Sequence, residues 1–114
     1  MRKYVEVKLD IEGLHCWENC DIEEVGYLKY LHRHTFQFLC RAEVTHNDRD
    51  IEFIKFKHEI KDYIGKKYFQ LKYKCCDFSG QSCEMLAEEL LNRFNLSQCS
   101  VSEDGEFFGI VTRD

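Results

Sequence analysis

Val5, Val7, Leu9 and Ile11 alternate with Glu6, Lys8, Asp10 and Glu12, so the chain opens on a strand over residues 4–12 with one apolar and one wet face. A second alternation covers residues 31–46. It sets Phe36, Phe38, Cys40, Ala42 and Val44 against Thr35, Gln37, Arg41, Glu43 and Thr45. Asn47-Asp48-Arg49-Asp50 ends that strand and offers helix N-caps. Apolar positions then recur at helical spacing through Ile51, Phe53, Ile54, Phe56, Ile60, Tyr63 and Ile64, with Gly65 as the predicted C-cap. A second amphipathic helix is predicted from Ser82, with Cys83, Leu86, Ala87, Leu90 and Phe94 on one stripe and Glu89 spaced to pair with Arg93. Between the helices, over residues 66–80, Phe69, Leu71 and Tyr73 alternate with Gln70, Lys72 and Lys74, the pattern of a short strand or an ordered loop. Asp104-Gly105 between two strand-like runs predicts a closing hairpin. The expected order is strand, strand, helix, helix, strand, strand.

Composition bounds what such a chain can be. At 114 residues, 44% hydrophobic, it is one domain with a single modest core. Its net charge is −5 and its 16 Lys and Arg are dispersed, which argues against a nucleic-acid polymer as partner, since such binding rests on phosphate neutralisation. Seven cysteines is an odd number, and Met1-Arg2-Lys3-Tyr4-Val5-Glu6 lacks the apolar core of a signal peptide, so free thiols in a reducing cytoplasm are expected. No apolar run approaches the roughly 20 residues that span a bilayer, so no membrane partner is expected. Proline is absent and the six glycines are scattered, which leaves no linker and no second domain.

The chemistry concentrates in His32-Arg33-His34. Two imidazoles one residue apart on a strand project from one face, here the face of Phe36 and Phe38, and such a pair suits a metal ion. His15 has the parity of the buried positions of the first strand; a bulge at Gly13 would reverse it. A rival set is Cys16 and Cys20 with His32 and His34, a closed Cys2His2 structural site. Both cysteines lie in the segment of residues 16–30, rich in acids and aromatics and too long for a tight turn, which also carries Glu23 and Glu24. Ser82-Cys83-Glu84 has the form of a helix N-terminus, and Glu103 that of a solvated acid before a turn.

His15, Leu31-His32-Arg33-His34-Thr35-Phe36, Ile51-Glu52-Phe53, Ser82-Cys83-Glu84 and Val101-Ser102-Glu103 together resemble the 6-pyruvoyl tetrahydropterin synthase family, which includes the bacterial 6-carboxytetrahydropterin synthases. The resemblance spans nearly the whole chain. It implies an α+β tunnelling fold of order ββααββ: an antiparallel sheet with two helices packed on one face, and a barrel completed by oligomerisation into a trimer or hexamer. It implies Zn2+ held by His15, His32 and His34, with Arg33 where the family usually has glycine. Three neutral imidazoles leave one tetrahedral position open, as a catalytic zinc requires. It also implies that Glu103 accepts hydrogen bonds from the amino and ring N–H groups of a pterin, with Ser82, Cys83 and Glu84 beside that pocket.

The chain departs from the family where protons are moved. The family places a cysteine four residues before its His-x-His pair, and position 28 is leucine. Its Asp-His pair between the helices has no counterpart, because no histidine follows Ile60. Cys16, Cys20, Glu23 and Glu24 are the candidate replacements. The resemblance leaves two functions open. One is a zinc lyase acting on dihydroneopterin triphosphate or a related pterin; the other is a catalytically silent binder of a purine-like or nucleotide ligand.

Overall fold

The computed structural model describes residues 1–113. Strands β1 (Lys3–His15) and β2 (His32–Val44) form a long antiparallel pair, joined by a loop that contains a 3-10 helix at Glu23–Lys29. Helix α1 (Phe53–Tyr68) leads to the short strands β3 (Phe69–Gln70) and β4 (Cys75–Asp77). Helix α2 (Cys83–Arg93) precedes the hairpin of β5 (Gln98–Glu103) and β6 (Phe107–Thr112). The six strands form one sheet in the order β3-β4-β1-β2-β5-β6.

The α+β class and both long helices match the sequence reading, while the order and the sheet type do not. The observed order is ββαββαββ, not ββααββ, and the sheet is mixed, because β4 runs parallel to β1. The alternation of Phe69, Leu71 and Tyr73 breaks at Lys74, whose positive φ of 56° and amide bonds to Gln70 and Leu71 reverse the chain. Beyond this turn, Cys75 and Cys76 anchor β4, both buried as small apolar residues. All seven cysteines are free thiols.

Register explains why one face holds both core and chemistry. Leu9 pairs with Phe38 and Phe38 with Val101, so these three share a face, and both helices pack on it. Phe56, Ile60 and Ile64 of α1 and Leu86, Ala87 and Leu90 of α2 join them in one buried cluster. Full burial of side chains of this size contributes about 1.5–3 kcal/mol each. Gly13 does not bulge: β1 runs in register to His15. A Cβ there would lie 2.5 Å from the Phe78 ring, so the glycine admits the close approach of Phe78.

Other differences lie at the ends. Helix α1 is capped by Glu52, whose carboxylate accepts from the amides of Ile54 and Lys55, while Asp50 instead accepts from Thr45. The helix runs through Gly65 to Tyr68, with Lys66 and Lys67 in its last turn beside the free carbonyls. Glu89 pairs with Lys67 rather than Arg93, and also accepts from the hydroxyls of Tyr63 and Tyr68, tying α2 to α1. No helix among the described residues is long and apolar enough to cross a membrane.

Candidate metal centre

His15 ends β1 directly opposite His32 at the start of β2, and His34 lies opposite Gly13. The period-two geometry of two paired strands therefore gathers three imidazoles at one end of the helix-covered face. One ring nitrogen from each lies within 4.8 Å of the other two. His15 is buried, at 7% exposure, and the other two are half-buried.

Each ring is held from behind through Nδ1. His15 Nδ1 lies 3.2 Å from the Gln81 carbonyl, His32 Nδ1 2.8 Å from the Tyr30 carbonyl, and His34 Nδ1 2.7 Å from Asp104 Oδ2. All three partners only accept, so each Nδ1 donates its hydrogen and each neutral Nε2 presents a lone pair. All three Nε2 atoms are shielded from solvent without a hydrogen-bonding partner of proper geometry. Leaving a buried polar atom unsatisfied costs about 1–3 kcal/mol, and here three such atoms converge. A cation at their centre removes that cost, and outer hydrogen bonds on Nδ1 are what metal-ligating histidines make. The residues present fit a divalent metal, and His15, His32 and His34 can hold one.

Glu103 faces the same point. It pairs with Phe36 across β2 and β5, so its side chain shares the histidine face. Oε1 lies 3.1 Å from His15 Nε2 and Oε2 3.4 Å from His34 Nε2. A carboxylate set against nitrogen lone pairs is repulsive unless positive charge lies between them, whether a proton or a metal. Burial disfavours a charged His15, but the Glu103 carboxylate and the Gln81 carbonyl outweigh it and raise the pKa of His15. His15, ahead of the opposing effect of burial, holds the Glu103 carboxyl below its ordinary value, and His34 does the same for Asp104.

A cavity of about 400 Å³ opens beside the histidines. His15, His32, Glu103, Ser82, Cys83, Glu84 and Cys16 all reach its wall, with Trp17, Leu28, Met85, Phe107 and Phe108 as its apolar lining. This size falls within the range of small-molecule sites. Ser82 accepts from the Met85 amide as the N-cap of α2, so it serves both as cap and as wall. Gly109 of β6 lets α2 seat there, since a Cβ would meet the Glu84 amide at 2.7 Å.

The candidate proton-moving residues separate. Cys16 lines the cavity, with a thiol pKa raised by burial and by the charges of Glu18 and Asp77. Cys20 is buried, its thiol donating to the carbonyls of Ile22 and Val25, so the Cys2His2 set is not assembled. Glu23 and Glu24 are exposed on the 3-10 helix and do not reach the cavity. Cys83 sits 3.9 Å from Glu103 Oε1, and burial followed by the charges of Glu103 and Glu84 pushes its thiol up to about 12. Sequence reasoning missed Gln81, Tyr30 and Asp104 behind the histidines. Two act through backbone carbonyls, which no side-chain pattern reveals, and Asp104 reads in the sequence only as a turn residue.

No family model matches the chain, and no curated protein matches it. Among solved structures it is similar to the crystal structure of uncharacterized protein WS1659 from Wolinella succinogenes. The TM-score is 0.73 at 11% identity, over 100% of this chain and 99% of that one. The likeness concerns the fold.

Proposed function

We propose that the protein is a 6-pyruvoyl tetrahydropterin synthase-like zinc protein whose cavity takes dihydroneopterin triphosphate or a related pterin. The observation that carries this is the convergence of three solvent-shielded Nε2 atoms beside a cavity whose wall includes His15, His32 and Glu103. Zn2+ suits three imidazoles, and when bound it would polarise a hydroxyl or carbonyl oxygen of the ligand. The chain's own residues divide the remaining work. Glu103, ionised at neutral pH, offers two acceptor oxygens, which match adjacent N–H groups on a flat heterocycle. Trp17, Met85, Phe107 and Phe108 supply apolar walls for its faces. Cys16 is the candidate from the loop that reaches the cavity, and Cys83 stands beside Glu103; both thiols hold their protons at neutral pH.

Leu28 favours a second reading. It stands in the cavity wall where the resemblance expects the catalytic cysteine, and a leucine moves no proton. Loss of a general acid-base group slows a reaction by about 10²- to 10⁴-fold, which leaves a silent binder of a purine-like heterocycle.

Mass spectrometry of small molecules released from the purified protein, followed by incubation with dihydroneopterin triphosphate, tests both readings. A retained pterin with product formation supports the synthase reading, and retention without product supports the binder. Neither retention nor measurable binding of any flat heterocycle contradicts both.

A further inference from the structure

We propose that Asp104 is a positioning residue that fixes the tautomer of His34 and thereby its competence as a metal ligand, an inference that rests on the metal reading above. Of the three outer partners, Gln81 and Tyr30 use backbone carbonyls, and only Asp104 uses a side chain, a charged one. Its Oδ2 accepts from His34 Nδ1 at 2.7 Å and its Oδ1 accepts from the Thr35 amide at 2.8 Å. Its own amide donates to the Thr35 carbonyl at 2.9 Å, so the carboxylate is clamped to β2 from the hairpin turn. The turn holds Asp104 at φ 57° and Gly105 at φ 74°. This left-handed conformation is unfavourable for most residues and tolerated by Asp and Asn, whose short polar side chains bond locally. The Asp-Gly signal that predicts the hairpin therefore also serves the metal centre. The hairpin could form with Asn at this position, whereas two acceptor oxygens on one side chain require a carboxylate.

The chemistry of an amide makes the test selective. In Asp104→Asn one carbonyl oxygen must choose between the Thr35 amide and His34 Nδ1. If it keeps Thr35, its NH2 faces Nδ1 and favours the tautomer with the proton on Nε2, the nitrogen that should face the metal. If it keeps His34, the NH2 opposes the Thr35 N–H. Either arrangement weakens ligation without straining the turn, since Asn adopts positive φ readily.

The experiment compares wild type with Asp104→Asn by Zn2+ competition against a chromophoric chelator. It also records long-range ¹H–¹⁵N imidazole spectra of the metal-free proteins, which report the tautomer directly. The expected result is a 10- to 100-fold loss of Zn2+ affinity. It is accompanied by a shift of His34 from the Nδ1–H toward the Nε2–H form or by loss of its single-tautomer signature. Circular dichroism should show an unchanged fold, because Asn adopts the positive φ of the turn; a merely structural role for Asp104 would instead leave the His34 tautomer as it is. Zn2+ affinity in the variant within about threefold of wild type overturns this inference alone, whichever tautomer is seen. Absence of Zn2+ binding by wild type overturns the metal reading and this inference with it.

Discussion

A strand histidine has two ring nitrogens and can turn only one toward a site, so what lies behind it decides its use. Here all three are held through Nδ1 and leave Nε2 forward, and that arrangement reacts to pH in a definite way. In the metal-free protein the pKa of His15 is raised above 6.5, so the folded state holds the proton more tightly than the unfolded chain. That stabilisation is complete below the unfolded value and is lost as pH rises through the folded one. Glu103, with a lowered pKa, stays ionised throughout this range and loses its contribution only on acidification. Metal reverses the dependence, because protons compete with it for Nε2. Between about pH 6 and pH 8 the melting temperature should fall for the metal-free protein and rise for the zinc-loaded one. Parallel profiles would contradict the site. A neighbouring residue tests packing instead of charge: Gly13→Ala drives a methyl group into the Phe78 ring. It should destabilise the protein by about 1–3 kcal/mol in urea unfolding, and an unchanged midpoint would remove the stated reason for a glycine here.

The legible and the illegible elements of this chain differ in where their determinants lie. β1, β2, α1 and α2 are readable because each has a period-two or period-3.6 pattern that local residues alone impose. The parity of His15 holds because Gly13 is kept small by Phe78, 65 positions away, and not by a bulge. β3 and β4 are not legible as two strands, since two or three residues carry no period and β4 is defined by its parallel partner β1. The partner of Glu89 is hidden for the same reason: spacing along one helix favours Arg93, but α1 brings Lys67, Tyr63 and Tyr68 to the same carboxylate. That carboxylate also orders the site from a distance. Tyr68 donates to Glu89 and accepts from the Gln81 side chain, and the Gln81 carbonyl holds His15. Glu89→Gln should therefore cost about 2 kcal/mol of stability, the scale of hydrogen bonds to a charged group. It should also broaden the His15 imidazole signals, and a neutral effect on both would show that the two helices need no such tie.

At the scale of the molecule, the sheet has two open edges, β3 and β6. β3 is two residues long, but β6 exposes Phe107, Phe108 and Ile110, an apolar edge that natural proteins cover or pair. We propose that assembly into a trimer or hexamer covers it, as the family resemblance implies. Sedimentation should report a species of three or six chains that Ile110→Lys shifts toward the monomer, and a wild-type monomer at all concentrations would refute assembly. The cavity lined by Phe107 and Phe108 adjoins that edge, so the proposed assembly would bring a neighbouring chain close to it. The centre is the claim on which the rest depends, and elemental analysis tests it most directly. Purified wild-type protein should carry about one zinc per chain, with His32→Ala folded and carrying little, because His32 is one of the three proposed ligands and four-coordinate zinc tolerates the loss of one poorly. Wild-type protein that takes up no divalent metal, even after incubation with zinc, would contradict the account.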